Sequence, residues 1–445
     1  MTGDIRIYKI FLAKRVPTWP KPDLDLNDEI SRLNGILDEI TAEVREERGY
    51  STNFTGGDLV YTPADIMKAG ESMDGADGLI MFNLTSGVRS LIDPVVDCAI
   101  EHDIPIIFFS QPFSGHDWGS YPRLLKFNVP VDLVASSNYR DIIPNLNVIH
   151  AMKMVQETKI LYLSNVKESS VKSLKENRWK PLEDKFGVTI EFLSPEEMEH
   201  AYNSVNIDDA EVLATQWIEG AEKVIEPPRE DIVKSTKLYL ALKQLMEQRS
   251  AQAVTINCLG MFAVGALPAY PCLAFTILND QGLFGVCEGD LNSTITQIIG
   301  TYMTGKPGFV TDPLFDTAKD EVIHAHCVSA TCMDGINGEQ RPYIIRTHME
   351  DDKGVSLQVK MRPGQEITMA LVGDPNLLLL STGIITGNYD TDRGCRTKFG
   401  TKVRDIEKMI ENWSHGLHRV IFFGNLEKEM KIFSRYMDVD IERED

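Results

Sequence analysis

The residues of this chain best placed to do chemistry lie between positions 271 and 327. Glu288, Gly289 and Asp290 follow the strand-like LFGV and Cys287, and a helical pattern opens at about Leu291. Acids at a strand end, just before a helix, stand where α/β sheets put their ligand sites. Asp312 comes 24 residues after Glu288, past the strand-like PGFVT. One helix and one returning strand fill that interval, which would set the two carboxylates side by side on neighbouring strands. Adjacent carboxylates repel, and a shared divalent cation removes the repulsion. Plainer roles compete at each position. Asp290 suits a helix N-cap, Glu288 a solvated loop, and Asp312 the turn before Pro313.

The next cluster is HAHC, with His324, His326 and Cys327, followed by Cys332. The two histidines are two apart and share one face of a strand. Read alone they suggest zinc, but no second ligand pair stands at the usual spacing, and buried, hydrogen-bonded histidine is the commoner outcome. His348, His415 and His418 are lone candidates. G-x-G-x-x-G, the Walker loop, H-E-x-x-H and G-x-S-x-G are all missing, which weakens dehydrogenase, kinase, zinc-protease and serine-hydrolase readings.

The elements that must position these groups fall into three textures. IRIYKIFLA, ADGLIMFNL and IPIIFFS read as strands, separated by amphipathic helices such as residues 25–48, where Ile30, Leu33, Ile36, Leu37, Ile40 and Val44 recur at helical spacing. The pattern restarts with KILYLS, VTIEFLS and AVTINCLG, interrupted at Pro227-Pro228. Beyond about residue 320, EVIHAHCVSA, YIIRTHM, GVSLQVKMR and EITMALVG are short alternating segments split by turn residues. Residues 401–412 read as a helix, then HRVIFFGN as a strand and LEKEMKIFSRYM as a last helix. We expect an α/β protein: two doubly wound α/β domains over 1–150 and 151–318, then an antiparallel β-barrel-like domain over 319–445.

A formal charge of −21 repels phosphate backbones and anionic lipid heads, so neither nucleic acid nor membrane is an expected partner. The N-terminal apolar run is broken by Arg6, Lys9 and Lys14 and reads as a first strand, not a signal peptide. The longest apolar run, near Leu377–Leu380, is far too short for a membrane helix. Seven scattered cysteines, with no C-x-x-C, argue for free thiols in a reducing cytoplasm.

The order of motifs resembles the L-fucose isomerase and L-arabinose isomerase superfamily, nearest the fucose-isomerase-like proteins. The likeness runs through PCLAFTILNDQG, CEGDLNSTIT, TGKPGFVTDP, HAHCVSA, THMEDDKGVSLQVKMRPGQEITMAL, GCRTKF and GLHRVIFFGN, over roughly residues 255–440. The resemblance implies an aldose–ketose isomerase with Mn²⁺, or Mg²⁺, held by Glu288, Asp312 and a C-terminal histidine, here His418. Many relatives carry two consecutive histidines there, whereas this chain has His418-Arg419. His326 matches a histidine that ligates metal in the arabinose-isomerase branch, so it is a candidate fourth group there and, with His116 and Trp118, a candidate to touch the sugar. The resemblance further implies trimers or hexamers with sites between subunits, where His116 and Trp118 of SQPFSGHDWGS are candidates to touch the sugar.

Such an enzyme moves a carbonyl between C1 and C2 of a neutral sugar of the L-fucose, L-arabinose or D-arabinose type. A divalent cation on the carbonyl and a neighbouring hydroxyl stabilises the enediolate. Glu288 and Asp312 would exchange the proton, an effect of roughly 10²–10⁴-fold. Two other readings stay open: a non-catalytic sugar-binding or regulatory protein with this fold, and a zinc hydrolase built on HAHC.

Overall fold

The computed structural model describes residues 3–336 and 338–445, and at Glu168 the backbone only. Two compact units emerge. The first comprises Met1–Met154 and Lys428–Val439, the second Val155–Glu427 and Asp440–Asp445.

The first unit is built on β1 (Ile5–Leu12), α1 (Leu26–Arg48), β2 (Thr52–Val60), α2 (Pro63–Gly70), β3 (Gly78–Asn83), α3 (Arg89–Glu101), β4 (Ile106–Ser110), α4 (Tyr121–Lys126), β5 (Val131–Ala135) and α5 (Ile143–Gln156). Its five strands are all parallel, in the order β2-β1-β3-β4-β5. Helices cover both faces, so β3 and β4 are buried along their whole length and their sequences are uniformly apolar rather than alternating. α1 begins where the Asp25 carboxylate accepts the free N–H groups of Asn27 and Asp28, and stops at Gly49, whose φ of 77° a side chain would oppose.

The second unit opens with β6 (Lys159–Leu163), α6 (Glu168–Leu174), a π-turn over Lys175–Trp179, α7 (Lys180–Phe186), β7 (Thr189–Leu193), α8 (Pro195–Ser204), α9 (Ile207–Gly220), β8 (Lys223–Val224) and α10 (Arg229–Gln248). There follow β9 (Ala253–Ile256), α11 (Cys258–Phe262), α12 (Cys272–Asp280), β10 (Phe284–Val286) and α13 (Leu291–Thr304). β10, β9, β6 and β7 make a second parallel sheet. Its strand order reverses between β6 and β9, and in such sheets ligands bind beyond the strand C-termini at that reversal.

The remaining strands are β11 (Phe309–Asp316), β12 (Glu321–His326), β13 (Tyr343–His348), β14 (Lys353–Val359), β15 (Glu366–Asp374), β16 (Leu377–Asn388), β17 (Thr397–Val403), β18 (Arg419–Phe423) and β19 (Asp440–Arg443). Between them lie α14 (Ile406–Glu411) and α15 (Glu427–Met437). β15, β18, β11, β12, β17 and β16 are antiparallel and close on themselves through β15 and β16, giving a six-stranded barrel with β19 added alongside β16. Closure leaves little bare strand edge, the C-terminal part of β11 past Thr311 being an exception. β13 and β14 form a separate small sheet with β8. Where a helix was expected over 401–412, β17 runs on to Val403. Helix α14 starts only after the Asp405 side chain caps it.

α13 joins the two halves of this unit, packing on β10 and on β15 and β18 of the barrel. Gly300 makes that approach feasible, because a Cβ there would lie 2.2 Å from the Phe422 ring on β18. Among the described residues no helix is long and apolar enough to cross a membrane.

Candidate metal centre

Glu288 and Asp290 leave the C-terminal end of β10 through a tight turn. Glu288 and Gly289 both adopt left-handed backbone angles, φ 65° and 63°. For glutamate this costs on the order of 1–2 kcal/mol. The turn is held by the Gly289 N–H donating to the Ile256 carbonyl at 2.9 Å. Gly289 also has no room for a side chain, since a Cβ would meet the Tyr162 hydroxyl at 2.9 Å. Asp290 is the N-cap of α13: its Oδ1 accepts the Ser293 N–H at 3.1 Å and its Oδ2 the Ser293 hydroxyl at 2.6 Å.

The barrel supplies the other groups. Asp312 lies inside β11 rather than just past a strand end, and it pairs with Ala325 of β12. β18 pairs with β11 only as far as Thr311, opposite Arg419. From Asp312 onward β11 therefore bonds to β12 alone, and Pro313 can occupy the strand because no neighbour on the other side needs its missing N–H. The loop before β18 delivers His418 to the gap, and His326 ends β12 on the other flank. The two acids thus belong to different sheets, Glu288 to the end of the parallel sheet and Asp312 to the barrel rim.

These four side chains converge. His418 Nε2 lies 3.2 Å from Asp312 Oδ1 and 3.6 Å from Glu288 Oε2. His326 Nε2 lies 3.8 Å from Asp312 Oδ2 and 4.0 Å from Glu288 Oε1. Both histidines are buried, and neither Nε2 has a hydrogen-bond partner. Glu288, His326 and His418 each offer a ligand atom within 4.8 Å of the others. Adjacent ligands of an ion bound at about 2.1 Å lie roughly 3.0–3.4 Å apart; His418 and Asp312, at 3.2 Å, fall in that range, and Glu288, 3.6 Å from His418, lies just outside it. Hard carboxylate oxygens with one imidazole suit Mn²⁺ or Mg²⁺.

The electrostatics ask for positive charge at the same point. Burial would lower the His418 pKa, but the Asp290 and Asp312 carboxylates outweigh it and push it up to about 10. Burial would raise Asp290, yet hydrogen bonds from His418 and Ser293 hold it below the usual carboxylate range. Asp312 is depressed too, because contact with the charged His418 outweighs its burial. With no cation the proton on His418 plays that part, and a divalent ion would displace it. His418 Nδ1 is bound to Asp290 Oδ2 at 2.8 Å, the carboxylate–histidine pairing that orients metal-ligating imidazoles.

His324 takes no part. Its two ring nitrogens are satisfied by the Thr311 and Thr401 hydroxyls at 3.3 and 2.8 Å. Arg419 turns away from the cluster into an ion pair with Glu444 and lies over the Trp413 ring at 3.8 Å. His348 is bound to Asp351, and His415 is partly exposed beside Asp374. His116 and Trp118 belong to the first unit, in and beside a 3-10 turn after β4, with Trp118 exposed. The cluster is assembled without them.

A cavity of about 650 Å³ opens over the cluster, lined by Tyr162, Asn177, Arg178, Trp179, Asn257, Glu288, Asp290, Asn292, Asp374 and His418 among others. Its size is that of small-molecule sites, and its amide-rich wall suits a polyhydroxylated ligand. The wall residues from β6 and the π-turn had no signature in the sequence. A π-turn is itself a frequent mark of functional sites, but its five residues KENRW carry no pattern that distinguishes them from ordinary helix.

The chain is similar to a sulfoquinovose isomerase. That protein, from Clostridium sp. (strain MSTE9), is 28% identical over 193 residues, which cover 42% of this chain and 42% of the relative. The matched region therefore spans less than half of the relative's length. No family model matches the chain. Among solved structures, an ABC-transporter solute-binding protein from Agrobacterium vitis, bound with alpha-D-tagatopyranose, is 13% identical. It covers 68% of this chain and 90% of its own, at a TM-score of 0.18. A periplasmic sugar-binding protein of an ABC transporter from Legionella pneumophila is 11% identical over 66% and 94%, at 0.17. Scores this low carry no structural argument.

Proposed function

We propose that this protein is a metal-dependent aldose–ketose isomerase acting on a small sugar, with Glu288, Asp312 and His418 as the ligands of a divalent ion. The observation that carries the proposal is His418. Its Nδ1 is tied to Asp290, while its buried Nε2 stands without a hydrogen-bond partner between the Asp312 and Glu288 carboxylates. The similarity to a sulfoquinovose isomerase supports the same class of reaction.

A bound cation would polarise the sugar carbonyl and so acidify the neighbouring carbon. The chain's own part is to hold and move protons. One of Glu288 and Asp312 takes the proton from C2 of the aldose, and a proton is returned to C1. The hydroxyl proton moves from O2 to O1, so that the ketose forms with no net gain or loss. The two carboxylates come from different sheets, which lets them flank the C1–C2 edge. Active sites shared between subunits of a homo-oligomer, with His116 and Trp118 reaching the sugar, belong to the same proposal.

The candidate sugars are L-fucose, L-arabinose and D-arabinose, together with the sulfo-sugar named by the relative. Arg178 bears on that last candidate. It lines the cavity, and among the described residues no acidic partner is recorded for it. A panel of these sugars, assayed with added Mn²⁺, tests the class. Glu288→Gln and Asp312→Asn are each expected to abolish measurable interconversion. Near-normal turnover in either variant would defeat the assigned roles, and Mn²⁺ binding with no turnover of any sugar would favour a non-catalytic binding protein.

A further inference from the structure

We infer that His326 is not a fourth metal ligand but a hydrogen-bond donor to the carbonyl oxygen of the bound sugar. The inference rests on the isomerase reading above and deepens it by giving the two buried histidines opposite roles.

The distinction follows from where each ring carries its hydrogen. A neutral imidazole has one N–H and one lone pair, and the partner of one nitrogen decides what the other can do. His418 Nδ1 faces the Asp290 carboxylate at 2.8 Å, an acceptor only. Its hydrogen must sit on Nδ1, which leaves the Nε2 lone pair free to bind a cation. His326 is the reverse. Its Nδ1 accepts the backbone N–H of Cys327 at 2.8 Å. That nitrogen is the one with the lone pair, and the hydrogen sits on Nε2. Turning the ring over would not help, because it would place Cδ2–H against the same N–H.

For His326 to ligate through Nε2, its hydrogen would have to move to Nδ1. Two donors would then face each other at 2.8 Å, and the buried Cys327 N–H would lose its acceptor. Leaving a buried donor unsatisfied costs about 1–3 kcal/mol, which opposes ligation at this position. The distances agree. His326 Nε2 is 3.8 and 4.0 Å from the two carboxylates, longer than either separation at His418 and too long for a hydrogen bond. A buried N–H without a partner is therefore aimed across the space between the two proton-transferring acids. A sugar oxygen entering that space would satisfy it, and a donor already in place where negative charge develops is the arrangement that stabilises it. No bond is made or broken at His326; it holds the oxygen while the carboxylates move the proton.

The test counts histidine nitrogens on the metal. Protein containing ¹⁵N-histidine is loaded with Mn²⁺, and electron spin echo modulation is recorded without any sugar present. One coordinated imidazole, lost in His418→Gln and kept in His326→Gln, is expected. Two coordinated imidazoles in the wild-type protein would overturn the inference and leave the isomerase reading standing. His326→Gln should leave Mn²⁺ affinity unchanged while lowering kcat/KM by about 10²–10³-fold. A fall in Mn²⁺ affinity as large as that of His418→Gln would also overturn it. A wild-type protein that takes up no Mn²⁺ would instead defeat the metal centre on which the inference rests.

Discussion

Asp290 does two jobs with two oxygens, and a single substitution separates them. Oδ1 accepts the Ser293 N–H and so caps α13, while Oδ2 receives His418 Nδ1 and the Ser293 hydroxyl. In Asp290→Asn the carbonyl oxygen can keep the cap, since asparagine and aspartate are near-equal N-cap residues. The amide nitrogen then replaces Oδ2. The Ser293 hydroxyl can rotate to accept from it, but His418 Nδ1 can accept only by passing its hydrogen to Nε2. That move removes the lone pair which binds the ion. Losing such an orienting partner typically weakens metal binding about 10–100-fold, or roughly 1.4–2.8 kcal/mol. Asp290→Ala loses the same partner and the cap as well, a further cost of about 1 kcal/mol to the helix.

Two measurements should therefore separate the two jobs. Titration with Mn²⁺, followed by its EPR signal, should show both weakened to a similar degree. Urea unfolding in the presence of a chelator should show both variants less stable than the wild type, since both lose the buried pairing with His418 Nδ1, and Asp290→Ala lower still by about the 1 kcal/mol of the cap. Wild-type Mn²⁺ affinity in Asp290→Asn would refute the orienting role. Equal loss of chelated stability in both variants would refute the separation of the two oxygens.

Two further outcomes follow from groups around the cluster. His324 is fully buried, and burial lowers its pKa to about 3. The unfolded chain binds a proton there below about pH 6.5 and the folded chain does not, so stability is complete above that pH and is lost as pH falls, by about 1.4 kcal/mol per unit down to pH 3. Between pH 6.5 and 5 the wild type should lose about 2 kcal/mol more than His324→Gln in urea unfolding, and parallel pH profiles would contradict this. Gly289→Ala puts a Cβ on a residue at φ 63° and against the Tyr162 hydroxyl. The turn must shift, so Mn²⁺ affinity should fall while circular dichroism stays native; unchanged affinity would show that the turn does not aim Glu288.

The sequence made β1, β3, β4, β6, β7 and β9 easy to read because each is a largely apolar run between amphipathic helices, whereas β2 (TNFTGGDLV) and β5 (VDLVA) are broken by polar residues and were not read as strands. Of the apolar residues at helical spacing in α1, Leu33, Leu37, Ile40 and Val44 are buried, while Ile30 and Ile36 at the edges of that face are half-buried. β10 and α13 were legible as well, and the residue expected to cap α13 does cap it. What remained hidden were relations between distant residues. Asp290 and His418 are 128 positions apart, and no periodicity links them. The sequence places Asp312 just past a strand end, with the turn before Pro313 as its plainer alternative. Only the pairing shows that β18 leaves β11 at Thr311 and makes a strand position there tolerable for proline. Strand alternation implies that His324 and His326 share a face, but the two rings meet different surroundings, His324 the Thr311 and Thr401 hydroxyls and His326 the carboxylates. It had no means of showing that hydroxyls would satisfy one ring while the other was left with a free nitrogen.

The same reasoning bears on His418-Arg419, where many proteins with the resembling motif order carry two histidines. Successive side chains on an extended segment point to opposite faces. If residue 418 faces Asp312, residue 419 must face the other way, and Arg419 does so, fully buried against Trp413 and Glu444. A guanidinium suits that place because Glu444 is itself buried and needs a bidentate partner, whereas a histidine would meet it with one N–H. The arginine therefore answers a demand made by the chain's own C-terminal strand. It takes nothing from the cluster of Glu288, Asp312, His326 and His418, which is assembled without residue 419.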